Sequence, residues 1–117
     1  MSNIEIKSIH IYPIKSLKGI ELSSSEVERR GLKYDRRWML VDEQGRFISQ
    51  RENHQLALLK TSINQDILTV TDLTGSQDPL TYEMSEPDSE PIEVSIWDDQ
   101  CLAKPLDQEV NEWFSRF

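Results

Sequence analysis

The sequence predicts a mainly β protein: a small β-barrel or a strongly curved antiparallel sheet, with one C-terminal helix. Three observations carry this. Short alternating or β-branched runs recur along the chain, among them Ile67-Leu68-Thr69-Val70-Thr71 and Ile92-Glu93-Val94-Ser95-Ile96. Turn-forming residues separate these runs at intervals too short for helices. Only residues 107–117 have a helical period, with Val110, Trp113, Phe114 and Phe117 at i, i+3, i+4 and i+7.

Taken in order, Ile4-Glu5-Ile6-Lys7 alternates, Ser8 breaks the phase, and Ile9 and Ile11 resume it one residue later. That shift predicts one strand with a β-bulge. Pro13 ends it, because proline cannot donate to a ladder. Residues 14–19 form a loop closed by Gly19, and 20–29 read as a second strand, its Ser23-Ser24-Ser25 run unsuited to a helix. The organising stretch is 31–51, GLKYDRRWMLVDEQGRFISQR. Trp38-Met39-Leu40-Val41 is apolar throughout, as for a strand covered on both faces. Asp42-Glu43-Gln44-Gly45 reverses the chain, and Arg46-Phe47-Ile48-Ser49-Gln50 returns as the partner strand. Residues 52–55 are a connector of one helical turn. Residues 56–63 and 67–71 form a second hairpin around Asn64-Gln65-Asp66, and 79–82 a brief strand. The acidic 85–91 stretch (SEPDSEP) reads as mobile. Residues 92–96 and 101–104 pair across the turn Trp97-Asp98-Asp99-Gln100, and Asp107 is positioned as a helix N-cap with Glu109 in the first turn.

At 117 residues the chain is long enough for one hydrophobic core, so residues 1–117 read as one domain. No apolar run approaches the ~20 residues of a membrane span. Met1-Ser2-Asn3-Ile4 reads as a start without a signal peptide, and the single Cys101 allows no internal disulfide; both suit a reducing, cytoplasmic setting. The net charge of −8 is unevenly spread: residues 1–63 carry 11 Lys/Arg and 8 Asp/Glu, residues 64–117 carry 2 and 13. Global acidity argues against nucleic acid as a partner and confines any anion site to the first half.

Within that half, Lys15 and Ser16 sit on a glycine-closed loop directly after a strand. An ammonium and a hydroxyl side by side suit a phosphate oxygen, though such a pair is also common on plain surface. Arg36, between Asp35 and Arg37-Trp38, can offer a bidentate fork to a phosphate. It can equally make a structural ion pair or stack on an aromatic ring, and Arg51 has the same two readings. Asp98-Asp99 reads as a turn former. His10 and His54 lack the neighbours of a catalytic triad, no zinc-ligand spacing occurs, and Cys101 reads as a small buried apolar residue. No complete catalytic constellation is present.

Particular words carry more than composition does. IYPIKS at 11–16, Gly31-Leu32, DRRWM at 35–39, Asp42-Glu43-Gln44-Gly45 and Ser49-Gln50-Arg51 resemble, in order and spacing, the N-terminal β-barrel domain of MOSC proteins. Amidoxime-reducing components and molybdenum cofactor sulfurases belong to that family. The match covers about residues 4–59; from 64 onward it rests on strand pattern and the closing helix. The resemblance implies that this domain precedes a MOSC domain in a longer chain, with the molybdenum cofactor (molybdopterin) between the two and a cysteine of the MOSC domain on the metal. It implies cofactor-binding roles for Lys15, Ser16 and Arg36 at the pterin phosphate, with Arg51 matching the arginine after the second hairpin strand, and no metal ligand in this stretch. Family members often have cysteine after the Lys-Ser pair, where this chain has Leu17.

The expected function is therefore the positioning half of a cofactor enzyme that reduces N-hydroxylated substrates, with an electron-transfer protein as partner, or that moves sulfur in cofactor maturation. The uncapped aromatic helix reads as a cut end facing a missing neighbour. Two other readings stay open on the residues alone. One is a stand-alone module gripping an anion through Lys15, Ser16 and Arg36; the other is an interaction domain docking through the helix stripe.

Overall fold

A computed structural model describes residues 4–85 and 88–117. The chain is mainly β, with curved antiparallel sheets and one C-terminal helix, and the sheets do not close into a barrel. The described strands are β1 (Ile9–Ile11), β2 (Ile20–Leu22), β3 (Val27–Glu28), β4 (Gly31–Leu32), β5 (Leu59–Asn64), β6 (Ile67–Asp72), β7 (Leu80–Glu83), β8 (Ile92–Ile96) and β9 (Asp99–Ala103); helix α1 is Gln108–Ser115. They form four antiparallel sheets: β1-β2, β3-β4, β5-β6-β7 and β8-β9.

The three-stranded sheet carries the core. Its register sets Leu59 opposite Asp72, Thr61 opposite Val70 and Ile63 opposite Leu68, with Leu80 and Tyr82 continuing those rows from β7. Cross-strand partners share a face, so one face presents Leu59, Thr61, Leu68 and Val70, each at most 2% exposed. Ile14, Leu17, Leu56 and Trp113 complete the cluster on that face. Burying one such leucine stabilises the fold by about 1.5–3 kcal/mol. Thr61 keeps its hydroxyl in this setting by donating to the Lys18 carbonyl at 2.9 Å.

Several expected elements are shorter than the pattern suggested. Residues 4–8 lie outside any ladder, with Ile4 98% and Ile6 83% exposed, so the bulged strand reduces to β1. The reason is β2, which spans three residues and has no partner left for residues 4–7. The expected 20–29 strand breaks at its serine run into β2 and β3. Residues 56–58 belong not to a strand but to a 3-10 turn, His54–Leu58, that sets Leu56 and Leu59 three residues apart in the core.

The organising hairpin is present in irregular form. Val41 bridges Phe47, and the Ile48 N–H donates to the Leu40 carbonyl at 2.9 Å. Asp42 makes the turn, its Oδ1 accepting the N–H groups of Gln44 (2.9 Å) and Arg46 (3.0 Å). Gly45 closes it at φ 77°, where an added Cβ would meet the Glu93 carbonyl oxygen at 3.0 Å. Each arm also pairs elsewhere, Trp38 with Ile14 and Arg46 with Ser95. Residues 38–41 are half-buried rather than covered on both faces.

The helix begins where expected, but the Asp107 side chain makes no capping bond; its carbonyl accepts from Val110 and Asn111. Its aromatic stripe faces the core. Trp113 is 5% exposed and donates its indole N–H to the Asp78 carbonyl at 2.8 Å, while Phe114 and Phe117 pack against the same cluster. The stripe expected to await a partner is thus largely occupied within the domain. Cys101, expected to be buried, is exposed: among the described residues β9 pairs only with β8, and its first four residues are exposed. Of the 85–91 loop, residues 86 and 87 lie outside the described residues, as do residues 1–3. Among the described residues no helix is long and apolar enough to cross a membrane.

Candidate functional site

The site is built where two short loops lace together. Tyr12 is held at both backbone groups: its N–H donates to Asp35 Oδ1 at 2.8 Å, and its carbonyl accepts the Arg36 N–H at 2.7 Å. The Pro13 carbonyl accepts from Arg37 and Trp38, both at 3.0 Å, and the Lys15 N–H returns to the Trp38 carbonyl at 2.9 Å. The YPIKS and DRRW words are therefore two halves of one hydrogen-bonded unit. The loop beyond is pinned from below: Leu17 is 1% exposed in the core, and the Lys18 N–H donates to the Leu59 carbonyl at 3.0 Å. Leu17, at the position where the resemblance implies a cysteine, serves here as a core anchor.

This lacing leaves Lys15, Ser16 and Arg36 around one cavity of about 200 Å³, completed by Tyr12, Leu17, Phe47 and Gln50. Arg51 does not line it. Two cavity residues have left-handed backbones, Ser16 at φ 74° and Arg36 at φ 51°, with Tyr34 beside them at φ 67°. Such conformations cost non-glycine residues about 1–3 kcal/mol each and persist only where the surroundings enforce them. The enforcing contacts are visible. Gln50 Nε2 donates to the Ser16 carbonyl at 2.9 Å, and the Tyr12 carbonyl holds the Arg36 N–H.

The ion-pair and ring-stacking readings of the arginines are both present. Arg36 Nη1 pairs with Asp35 Oδ2 at 2.6 Å, and its guanidinium lies 5.2 Å from the Tyr12 ring centroid. With the side chain 55% exposed, that ion pair stabilises the fold by no more than ~1 kcal/mol. Its effect is to orient the fork while leaving other N–H donors for an anion. Lys15 Nζ stands 4.9 Å from the Phe47 ring, and Arg51 lies 5.8 Å from the Trp97 ring. Gly19 makes room for this arrangement: a Cβ there would meet Tyr12 Cε1 at 2.6 Å and the Ile11 carbonyl oxygen at 2.9 Å.

Sequence reasoning named Lys15, Ser16 and Arg36 but not Tyr12, Phe47 or Gln50. The signal for Gln50 was its seat in the Ser49-Gln50-Arg51 word; Phe47 had none, since its approach depends on how the hairpin folds back. An ammonium, a hydroxyl and a guanidinium around one opening match the oxygens of a phosphate monoester. No group of three or more His, Cys, Asp and Glu that could hold a metal ion occurs among the described residues.

The model of the MOSC N-terminal beta barrel domain matches residues 3–117. The chain belongs to that family. The MOSC N-terminal domain described here is similar to molybdenum cofactor sulfurase of Oryza sativa subsp. japonica, 31% identical over 98% of this chain and 14% of that protein. It is also similar to mitochondrial amidoxime-reducing component 1 of Mus musculus, 26% identical over 96% of this chain and 34% of that protein. To molybdenum cofactor sulfurase of Drosophila willistoni it is 34% identical over 84% of the chain. The MOSC N-terminal domain thus spans about a third or less of the length of these relatives.

Proposed function

We propose that residues 1–117 form the domain of a longer, cytoplasmic molybdenum cofactor protein that holds the cofactor's phosphate, with Lys15, Ser16 and Arg36 as its donors. The observation that carries this reading is the convergence of those three side chains on one cavity. Lys15 acts as a point charge, Ser16 as a neutral donor, and Arg36 as a fork already oriented by Asp35. A second, MOSC domain of the same chain would close over the cofactor and hold its metal. When bound, the cofactor supplies the redox chemistry of a reductase of N-hydroxylated substrates, fed by an electron-transfer protein, or is the acceptor in sulfur transfer. This chain's own residues anchor and orient. Arg51 contributes charge beyond the cavity.

The test uses the full-length protein purified with its cofactor. Pterin released by oxidation and molybdenum are both measured per chain. Arg36→Ala should lower both at least several-fold together, and Arg36→Lys should recover only part, because a lysine keeps the charge and loses the fork. Unchanged loading in Arg36→Ala and Lys15→Ala would remove the basis for the reading.

A further inference from the structure

The two-stranded ribbon β8-β9 has one edge committed and one edge open. Ser95 spends both backbone groups on the organising hairpin: its carbonyl accepts the Phe47 N–H and its N–H donates to the Gly45 carbonyl, both at 2.8 Å. Ser95 stands opposite Gln100, so that pair exchanges no bonds, and the Gln100 N–H and C=O point to the far side of β9. Strand alternation turns the Leu102 groups the same way, while those of Asp99, Cys101 and Ala103 face β8. Among the described residues no strand pairs with that far side. Natural edge strands are blunted by lysine, proline or a bulge. The run Asp99-Gln100-Cys101-Leu102-Ala103 has no lysine or proline, its one charge lies at the end, and its register with β8 skips no residue. Leu102 is 72% exposed, and Cys101 is exposed beside it.

We propose that β9 pairs antiparallel with β9 of a second copy of this chain, about a two-fold axis at Cys101, the midpoint of the strand. The pairing builds one four-stranded sheet, β8-β9-β9-β8, and its symmetry closes the assembly at two copies. Gln100 then exchanges its outward N–H and C=O with the partner's Leu102, and Leu102 with the partner's Gln100. Charge complementarity favours this occupant and this register. Asp98, in the turn, lies opposite the partner's Lys104 at both ends of the ladder, and Asp99 lies opposite the partner's neutral Ala103. Registers centred on Gln100 or Leu102 set Asp98 against a leucine, or Lys104 against a glutamine, and lose the ion pairs. Leu102 stands diagonally across from the partner's Leu102, within reach of a long side chain, so both exposed leucines gain cover. Cys101 faces the partner's Cys101 in a pair without backbone bonds, the kind in which side chains come closest.

The test is sedimentation velocity on the 117-residue chain under reductant, from about 1 µM to about 1 mM, the range of weak specific association. The wild type should pass reversibly from monomer to dimer across that range. Leu102→Pro removes an outward N–H and none that faces β8, so it should stay monomeric with an unchanged far-UV spectrum. Asp98→Lys sets like charges opposite each other at both ends and should raise the dissociation constant roughly tenfold. Adding Lys104→Asp to that variant restores opposite pairs and should recover the affinity. A second readout uses Cys101, the chain's single cysteine. With a diazene oxidant, which takes up the two thiol hydrogens, the Cys101 disulfide between copies should form at least about tenfold faster than one through residue 99 in Asp99→Cys with Cys101→Ser, because pairing raises the local concentration of the facing thiols alone. A wild type still monomeric at about 1 mM, a dimer that survives Leu102→Pro, or equal rates of linkage through residues 99 and 101 would each overturn the proposal.

Discussion

Gly19→Ala puts two opposing effects in direct competition. Replacing glycine with alanine usually stabilises a protein by about 0.4–1 kcal/mol, because the unfolded chain loses conformational freedom. At this position the new methyl group meets Tyr12 Cε1 at 2.6 Å, Tyr12 Cδ1 at 2.9 Å and the Ile11 carbonyl oxygen at 2.9 Å. The tyrosine ring can swing aside; the carbonyl cannot, because Ile11 is paired with Ile20 in β1-β2. Overpacking of this kind costs about 1–3 kcal/mol, so the clash should win and leave a net loss of roughly 1–2 kcal/mol. That corresponds to a fall in Tm of roughly 3–10 °C for a domain of this size. Urea unfolding should show a lower midpoint at unchanged slope. Because relief moves the Tyr12 ring away from the Arg36 guanidinium, affinity for a phosphate monoester should fall in the same variant. A Gly19→Ala protein at least as stable as wild type, with unchanged phosphate affinity, would refute both the contact and its link to the site.

Two further outcomes follow from the core and from the turn. Trp113→Ala removes a buried ring and should cost about 3–5 kcal/mol, while Trp113→Phe keeps much of the volume and mainly loses the bond to Asp78; chemical denaturation separates the two. The Asp42 carboxyl is held below its ordinary value of 3.8, chiefly by the Arg46 N–H, with desolvation opposing and the Gln44 N–H and Arg46 charge adding. A depressed carboxylate stabilises the fold above its ordinary value, and that contribution is lost as pH falls through the lower folded value. Asp42→Asn should therefore flatten the acid limb of a stability profile below about pH 4. At the alkaline end, burial and the nearby Asp107 raise the Tyr82 phenol above 10.0, so stability should fall as pH rises past that value, and Tyr82→Phe should remove that loss.

The parts legible in the sequence were those with local causes. The alternation of β6 and β8, the Asp42–Gly45 turn and the period of α1 each depend on residues close in the chain, and they formed where the pattern put them. The strand ends were not legible, because a strand extends only as far as its partner does; Ile4 and Ile6 alternate well but find no ladder partner among the described residues. Cys101 misled for a related reason, since its type favours burial but β9 is exposed along most of its length. At the site, residue type and familiar words selected Lys15, Ser16 and Arg36. Phe47, Gln50 and the Trp97–Arg51 pair depend on how the hairpin and the β8–β9 turn meet, and no local pattern encodes that meeting.

The lacing of the two loops also bears on how the molecule comes together. The bonds that make the cavity join residues far apart in the chain: Tyr12 and Asp35 are 23 positions apart, Ser16 and Gln50 are 34, Lys18 and Thr61 are 43. The β8–β9 turn joins Ile96 and Asp99, only three positions apart, and can form early on its own. Contacts of long separation require loop closure first, which slows them and ties them to the global transition. The Arg36 and Lys15 amides should thus exchange with solvent only when the whole domain opens, while those of β9 exchange through local fraying. A ligand that binds the cavity would then protect every amide that exchanges by global opening, and leave the fraying amides of β9 unchanged.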